Sequence, residues 1–221
     1  MDDKPEHTAN KAKGQGGPPP PKQQRSKEKL ERILNAGYEI AAEVGFEATT
    51  LAKIAERAGV ATSTVYTRFK DKEALLHALH AAATERSRAT IAEAYQEQHW
   101  QERSLKEVLA DVINLSLQLT EQMAGFQKAC YQRALSDAVF ASREALVRKE
   151  LLDKTRELFA NKADEIGHPD RDVAAQFFVA LYISVITEHV MTNAFPAESL
   201  DSQQIGAELF DACVRYLQLD P

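Results

Sequence analysis

Five hydroxyl-bearing residues fall within six consecutive positions: Thr62, Ser63, Thr64, Tyr66 and Thr67. Thr49 and Thr50 precede them, and Lys70 and Lys72 follow around Asp71. Hydroxyl and ammonium groups at this density do hydrogen-bonding chemistry. They suit phosphate oxygens and base edges, and a threonine methyl can meet the methyl of thymine. A lysine in this setting reaches a phosphate as a point charge. No Ser/His/Asp order, Cys/His pair, metal cluster or phosphate loop stands out elsewhere, so an enzyme reading has no residues to name.

The elements that must position these groups follow from local signals. Leu51 to Ala58 reads as a short helix, with Leu51, Ile54 and Ala55 on one face and Lys53, Glu56 and Arg57 on the other. Thr49 and Thr50 suit its N-cap, and Gly59 suits the left-handed residue that ends it. Thr62 to Phe69 reads as a second helix with Val65 and Phe69 turned inward and Thr62 a candidate N-cap. Asp71 is placed to cap a further helix. This is the grammar of a helix-turn-helix, whose second helix enters the major groove of DNA. A plain pair of packed surface helices would show the same bare pattern.

The residue-level match is more specific. From Leu30 to Leu76, the segments ILNAGYEIAAEVGFEATTLAKIAERAGV and STVYTRFKDKEALL resemble the DNA-binding domain of the tetracycline-repressor (TetR/AcrR) family. That family has an alanine-rich first helix, a G-F/Y-x-x-T-T link, I-A-x-x-A-G-V, T-L/V-Y-x-x-F and K-E-x-L. Departures occur at Ala61, where the family usually has Ser, and at Ser63, where it often has Gly. Thr67 and Arg68 stand where an aromatic or His often follows the tyrosine. These leave the class intact and the operator sequence unreadable.

Composition agrees once it is divided along the chain. The whole carries a net charge of −6, but residues 22–80 are net +2, residues 81–221 net −8 and residues 1–21 neutral. An acidic body discourages non-specific adhesion to DNA and leaves affinity to the head. Hydrophobic residues make up 44% and charged residues 27%, which is ordinary for a globular protein. No uninterrupted apolar run approaches the ~20 residues of a bilayer span. The N-terminus lacks an apolar signal core, so a cytoplasmic location without membrane association is expected. Cys130 and Cys213 show no CxxC spacing and are expected to be buried thiols.

Taken in order, residues 1–25 form a Gly/Pro/Lys-rich tail, expected to be disordered, with GQGGPPPP at 14–21. Its basic residues could form an arm reaching DNA or remain a solvated tail. Residues 26–72 make the helix-turn-helix domain, and residues 73–221 a helical ligand-binding and dimerisation domain. Helix one is expected from about Ser26 to Val44, and helix four from Asp71 to between Tyr95 and Trp100. Ser104 and Glu107 form a capping box. Further helices cover Phe126–Leu135, Ser142 to about Ile166, Asp172–Ala194 and Gln204–Leu219, with a stop at Gly167-His168-Pro169-Asp170. No strand pattern survives, so the fold is all-α with about nine helices. His77 and His80 are spaced three apart. With no further ligand evident at the proper distance, no metal site or cofactor is expected.

The helix beginning at Asp172 is apolar nearly all round and must be buried on several sides. It could be an internal core helix or pack against a second copy of the chain. The resemblance implies the latter, a homodimer through the last two helices, for which Val179, Ile183, Ile186, Phe210 and Val214 are candidates. It also implies a pocket for a small-molecule effector. Trp100, Met123, Phe126, Tyr131, Phe178 and Tyr182 are candidates to line it, although any one of them taken singly is better explained as core. Glu188 and His189, polar in an apolar helix, could orient a ligand, pair at the dimer interface or be exposed. The function implied is ligand-responsive regulation, most simply repression, of transcription at a palindromic operator. The alternatives are a ligand-independent dimeric DNA-binding protein and, with no residues in its favour, an all-helical enzyme.

Overall fold

The structure, a computed structural model, describes residues 22–192 and 200–219. Ten α-helical segments occur among them: α1 (Lys22–Ala48), α2 (Leu51–Arg57), α3 (Thr62–Arg68), α4 (Lys72–Ala94), α5 (Glu97–Trp100), α6 (Leu105–Gln122), α7 (Ala124–Ala134), α8 (Ala138–Asn161), α9 (Arg171–Thr187) and α10 (Ser202–Leu217). α5 is a single turn, so nine are longer, and among the described residues there is no strand. A lone antiparallel bridge joins Ile166 to Leu219. The Gly/Pro-rich segment up to residue 21 lies outside the described residues. Residues 22–25, expected in the tail, instead form the first turn of α1.

Side-chain caps set most of the boundaries. Thr50 accepts from Lys53 N at the start of α2, and Asp71 from Ala74 N at the start of α4. The capping box of Ser104 and Glu107 is formed, and Asp201 and Gln204 make a second one at α10. Asp137 and Asp170 cap α8 and α9. Each such cap is worth about 1 kcal/mol. Thr62 is not a cap: the N-cap of α3 is Ala61, which makes no side-chain hydrogen bond. Thr62 is therefore the first helical residue, its hydroxyl exposed. α1 is interrupted at Gly45 (φ 76, ψ 156), where helix one was expected to stop. Gly59 follows α2 at φ 61, a left-handed conformation that costs glycine little and other residues more.

Two hydrophobic cores result. The first joins Ile33, Tyr38, Ile40, Phe46, Ile54, Val65, Phe69, Leu75 and Leu79, and extends to Phe126, Cys130 and Phe140. The head is thus completed by residues beyond 72: α4 closes it from one side, and α7 lies across α1. That crossing is tight at Gly125, where a Cβ would come within 3.0 Å of the Ala41 carbonyl oxygen and of Gly45 Cα. The second core gathers Trp100, Leu105, Leu109, Ile113, Leu158, Phe159, Phe178, Tyr182, Leu209 and Leu217 from α5, α6, α8, α9 and α10. α4 belongs to both, giving Leu75, Leu76 and Leu79 to the first and Ile91 and Ala94 to the second.

Arg171–Val190 is long and apolar enough to cross a membrane by length and composition. Here it is a core helix, burying Ala174, Ala175, Phe178, Val179, Tyr182 and Ile186 while Arg171, Asp172 and Gln176 remain exposed. A π-turn at Glu188–Thr192 ends it, and residues 193 and 194, expected in this helix, lie outside the described residues.

Candidate nucleic-acid interface

α3 is held by apolar anchors on its inner face. Val65 is fully buried, Phe69 nearly so, and both join the head core. The outer face then has no freedom to turn inward, and Thr62, Ser63, Tyr66 and Thr67 are exposed while Thr64 is half-buried. Tyr66 is 55% exposed, a large aromatic held in solvent by the burial of its neighbour. Thr67 Oγ1 donates to Ser63 O at 2.7 Å, and the residue remains exposed. Arg68 fastens the far end of α3 to α1, donating to Ser26 Oγ at 2.7 Å and to Ser26 O at 3.0 Å.

The flanking groups divide. Thr50 and Lys70 are exposed beside α3. Thr49, expected at the interface, is 1% exposed, and its hydroxyl donates to Gly45 O at 2.9 Å. It closes the turn between α1 and α2 and is withdrawn from the contact set. Lys72 is tethered: Nζ donates to Glu47 O at 2.7 Å, lies 3.4 Å from the Glu47 carboxylate and sits 4.8 Å from the Phe46 ring centre. A phosphate would have to compete with these partners for it. α2 is braced to α1 by Arg57, whose two guanidinium nitrogens lie 2.8 and 2.9 Å from the Glu43 carboxylate. That hydrogen bonding holds the Glu43 carboxyl below its ordinary range.

The residues expected to line one effector pocket do not meet. Trp100, Phe178 and Tyr182 are buried in the second core, where Phe178 stacks on Tyr182 with ring centres 5.8 Å apart. The Trp100 indole donates to Tyr95 O at 3.2 Å, and the Tyr182 hydroxyl bonds Ser116 Oγ. Burial pushes the Tyr95 phenol up to about 12, partly offset by its hydrogen bond with Thr155. Met123 and Phe126 pack instead on the head core, Phe126 edge-on to Tyr38 at 5.0 Å, and Tyr131 is exposed. Glu188 is exposed; His189 is half-buried, with Nε2 2.9 Å from Ser202 Oγ on α10. A cleft of about 410 Å³ does open over α6, lined by Ala94, His99, Arg103, Val108, Asp111, Val112, Asn114, Leu115 and Gln118.

The dimer candidates divide as well. Val179 and Ile186 point into the chain's own core, so they are unavailable to a partner. Ile183, Phe210 and Val214 are half-buried at its edge. The outward face of α9 carries Val173, Phe177, Ala180 and Ser184, with Phe177 48% exposed and 4.6 Å from the Tyr216 ring of α10. These four are spaced by 4, 3 and 4 as one helix face is, but the buried Ala174, Ala175, Phe178, Val179, Tyr182 and Ile186 share that period, so the sequence pattern alone does not say which face is outward.

A head that pins one helix from behind and offers its hydroxyls, tyrosine and lysine to solvent, mounted on an all-helical body, belongs to the DNA-binding transcriptional regulators. Residues 33–79 match the model of the bacterial regulatory proteins of the tetR family, and residues 104–217 that of the tetracyclin repressor-like C-terminal domain. The chain belongs to the tetracycline-repressor family of transcriptional regulators. Solved structures share the fold. A TetR transcription regulator from Haloarcula marismortui is 17% identical over 87% of this chain and 97% of its own, at a TM-score of 0.67. A transcriptional regulator from Cytophaga hutchinsonii is 19% identical over 86% of this chain and 97% of its own, at 0.68. The regulator FadR from Bacillus subtilis, in complex with stearoyl-CoA, is 24% identical over 85% of this chain and 98% of its own, at 0.57. No curated protein matches the chain by sequence.

Proposed function

We propose that this regulator is a homodimeric repressor that binds a palindromic operator and is released by a small-molecule effector. The observation that carries the reading is the α3 surface, where Thr62, Ser63, Tyr66 and Thr67 face solvent from a helix fixed by Val65 and Phe69. One helix two turns long discriminates weakly, and two heads related by a two-fold axis read two half-sites. The exposed Val173, Phe177 and Ala180 of α9, beside Tyr216 of α10, supply an apolar face for pairing.

The α6 cleft is the effector site in this proposal. Val108 and Val112 both line it and belong to the second core, so a ligand there touches the packing that α4 carries to the head. Its lining combines apolar side chains with His99 and with Arg103, whose guanidinium lies 2.7 Å from the Asp111 carboxylate, so the anionic end of an amphipathic molecule would compete with Asp111 for the arginine. The stearoyl-CoA held by the Bacillus subtilis regulator is of that class. By linkage, an effector that favours a different separation of the heads lowers DNA affinity by the factor by which DNA lowers its own. A second reading, a ligand-independent dimeric DNA-binding protein, is favoured by the closed packing of Trp100, Phe159, Phe178 and Tyr182.

The test is a fluorescence-anisotropy titration with duplexes from the region upstream of the chain's own gene, with and without long-chain acyl-CoA. The expected result is salt-sensitive binding of two chains per palindrome, weakened by the thioester. Binding by monomer as tight as by dimer would overturn the repressor reading. Tight dimeric binding indifferent to every acyl-CoA would favour the ligand-independent one.

A further inference from the structure

His77 looked unsupported in the sequence, but the fold brings two carboxylates to its ring. Glu73 stands one turn before it on α4, and Asp137 arrives from the turn between α7 and α8. His77 Nε2 lies 3.3 Å from Asp137 Oδ2 and 3.7 Å from Glu73 Oε1. The three donor atoms lie within 4.8 Å of one another, and all three residues are half-buried. We propose that Glu73, His77 and Asp137 form a binding site for a first-row divalent cation such as Zn²⁺, Mn²⁺ or Co²⁺.

The distances fit. Ligand atoms about 2.1 Å from a common ion are separated by about 3.0 Å at a right angle and about 3.4 Å at a tetrahedral one. The two pairs involving His77 are already near that range, and a small rotation of Glu73 would bring in the third. One imidazole and two carboxylates form a mixed N/O set, which favours first-row divalent ions over thiophilic ones.

The donors are also held in place, as functional ligands are by their outer partners. Asp137 Oδ1 accepts from Val139 N at 2.8 Å and from Phe140 N at 3.3 Å, capping α8 and leaving Oδ2 turned to the histidine. Burial raises the Asp137 carboxyl, but these backbone bonds together with the neighbouring His77 and Arg133 outweigh it and hold the group below its ordinary range. The His77 ring meets Phe140 edge-on at 4.7 Å, and Arg143 Nη1 donates to His77 O at 3.1 Å. Arg133 bonds Glu73 Oε2, not the Oε1 that faces His77. One carboxylate can hold the arginine through one oxygen and an ion through the other. With Arg133 counted, the cluster still carries one net negative charge before His77 is considered. The site joins α4, where it closes the head, to the turn that starts α8.

The test is isothermal titration of the full chain, free of any histidine tag, with Zn²⁺ and Co²⁺ at neutral pH. One ion is expected to bind per chain, and the Co²⁺ complex to show visible d–d bands. His77→Gln and Asp137→Asn should each weaken binding by about 100-fold or more, since loss of an outer partner alone costs 10–100-fold. Asparagine retains the helix cap, so a circular-dichroism melt separates loss of the site from loss of the fold. His99→Gln should leave binding unchanged. Absence of saturable binding, binding unaltered in His77→Gln or Asp137→Asn, or binding abolished by His99→Gln would each overturn the proposal.

Discussion

Adjacent residues Val65 and Tyr66 should separate stability from DNA affinity, because the helix turns one inward and the other outward. Val65 is fully buried and Tyr66 is 55% exposed. Val65→Ala removes the equivalent of two buried methylenes, about 1.6 kcal/mol of transfer free energy, and leaves a cavity that raises the cost to about 2–3 kcal/mol. Tyr66→Ala removes a side chain already in water and should change stability by no more than about 0.5 kcal/mol. In the proposed docking its hydroxyl bonds a charged phosphate, an interaction worth about 1.5–3 kcal/mol per half-site. A dimer would lose that twice, so affinity for the palindrome should fall by about 100-fold or more. Thermal melts and anisotropy titrations at fixed salt measure the two quantities. Unchanged affinity in Tyr66→Ala would refute the docking orientation. A Tyr66→Ala melting loss as large as that of Val65→Ala would refute the assignment of inner and outer faces.

Three other perturbations test the body. Phe177→Glu places a charge on the exposed apolar face of α9, and should convert the proposed dimer to monomer in sedimentation velocity and abolish palindrome binding; a persistent dimer would move the interface elsewhere. Phe140→Ala empties a fully buried site between the His77 and His80 rings. It should cost about 3–5 kcal/mol, which lowers the melting temperature by roughly 6–20 °C for a chain of this size. Burial pushes the Cys130 thiol far up and the Cys213 thiol up to about 11. Both therefore stay protonated at pH 8, and a disulfide thiol reagent should label neither until denaturant is added. Rapid labelling of the native protein would show that the core opens.

The head was legible because most of its boundaries have a local cause, the uncapped start of α3 at Ala61 excepted. Thr50, Gly59 and Asp71 act on backbone groups within a few residues of themselves, and α2 and α3 lie where those signals put them. Thr49 was misassigned because a hydroxyl suited to phosphate is equally suited to a carbonyl four residues back, and only burial distinguishes the two. Lys72 shows the same ambiguity for a cation, since Glu47 lies twenty-five residues away in sequence and beside it in space.

The body was less legible for a different reason. α9 is apolar on every side, so its periodicity carries no phase, and the choice between Val179 and Phe177 as the outward residue could not be made from pattern. What decides it is the position of α8 and α6, which cover Phe178 and Val179 and leave Val173, Phe177 and Ala180 bare. The same long-range placement separated Phe126 from Phe178, two aromatic residues with identical sequence credentials. Gly125 lets α7 approach α1 closely enough for Phe126 to enter the head core against Tyr38. The body therefore reaches the DNA-binding head by two routes, the shared helix α4 and the α7–α1 crossing. A change in the packing of α6 can reach the heads through α4, while the α7 contact limits how far each head can swing. Any effector that resets their separation must act against both.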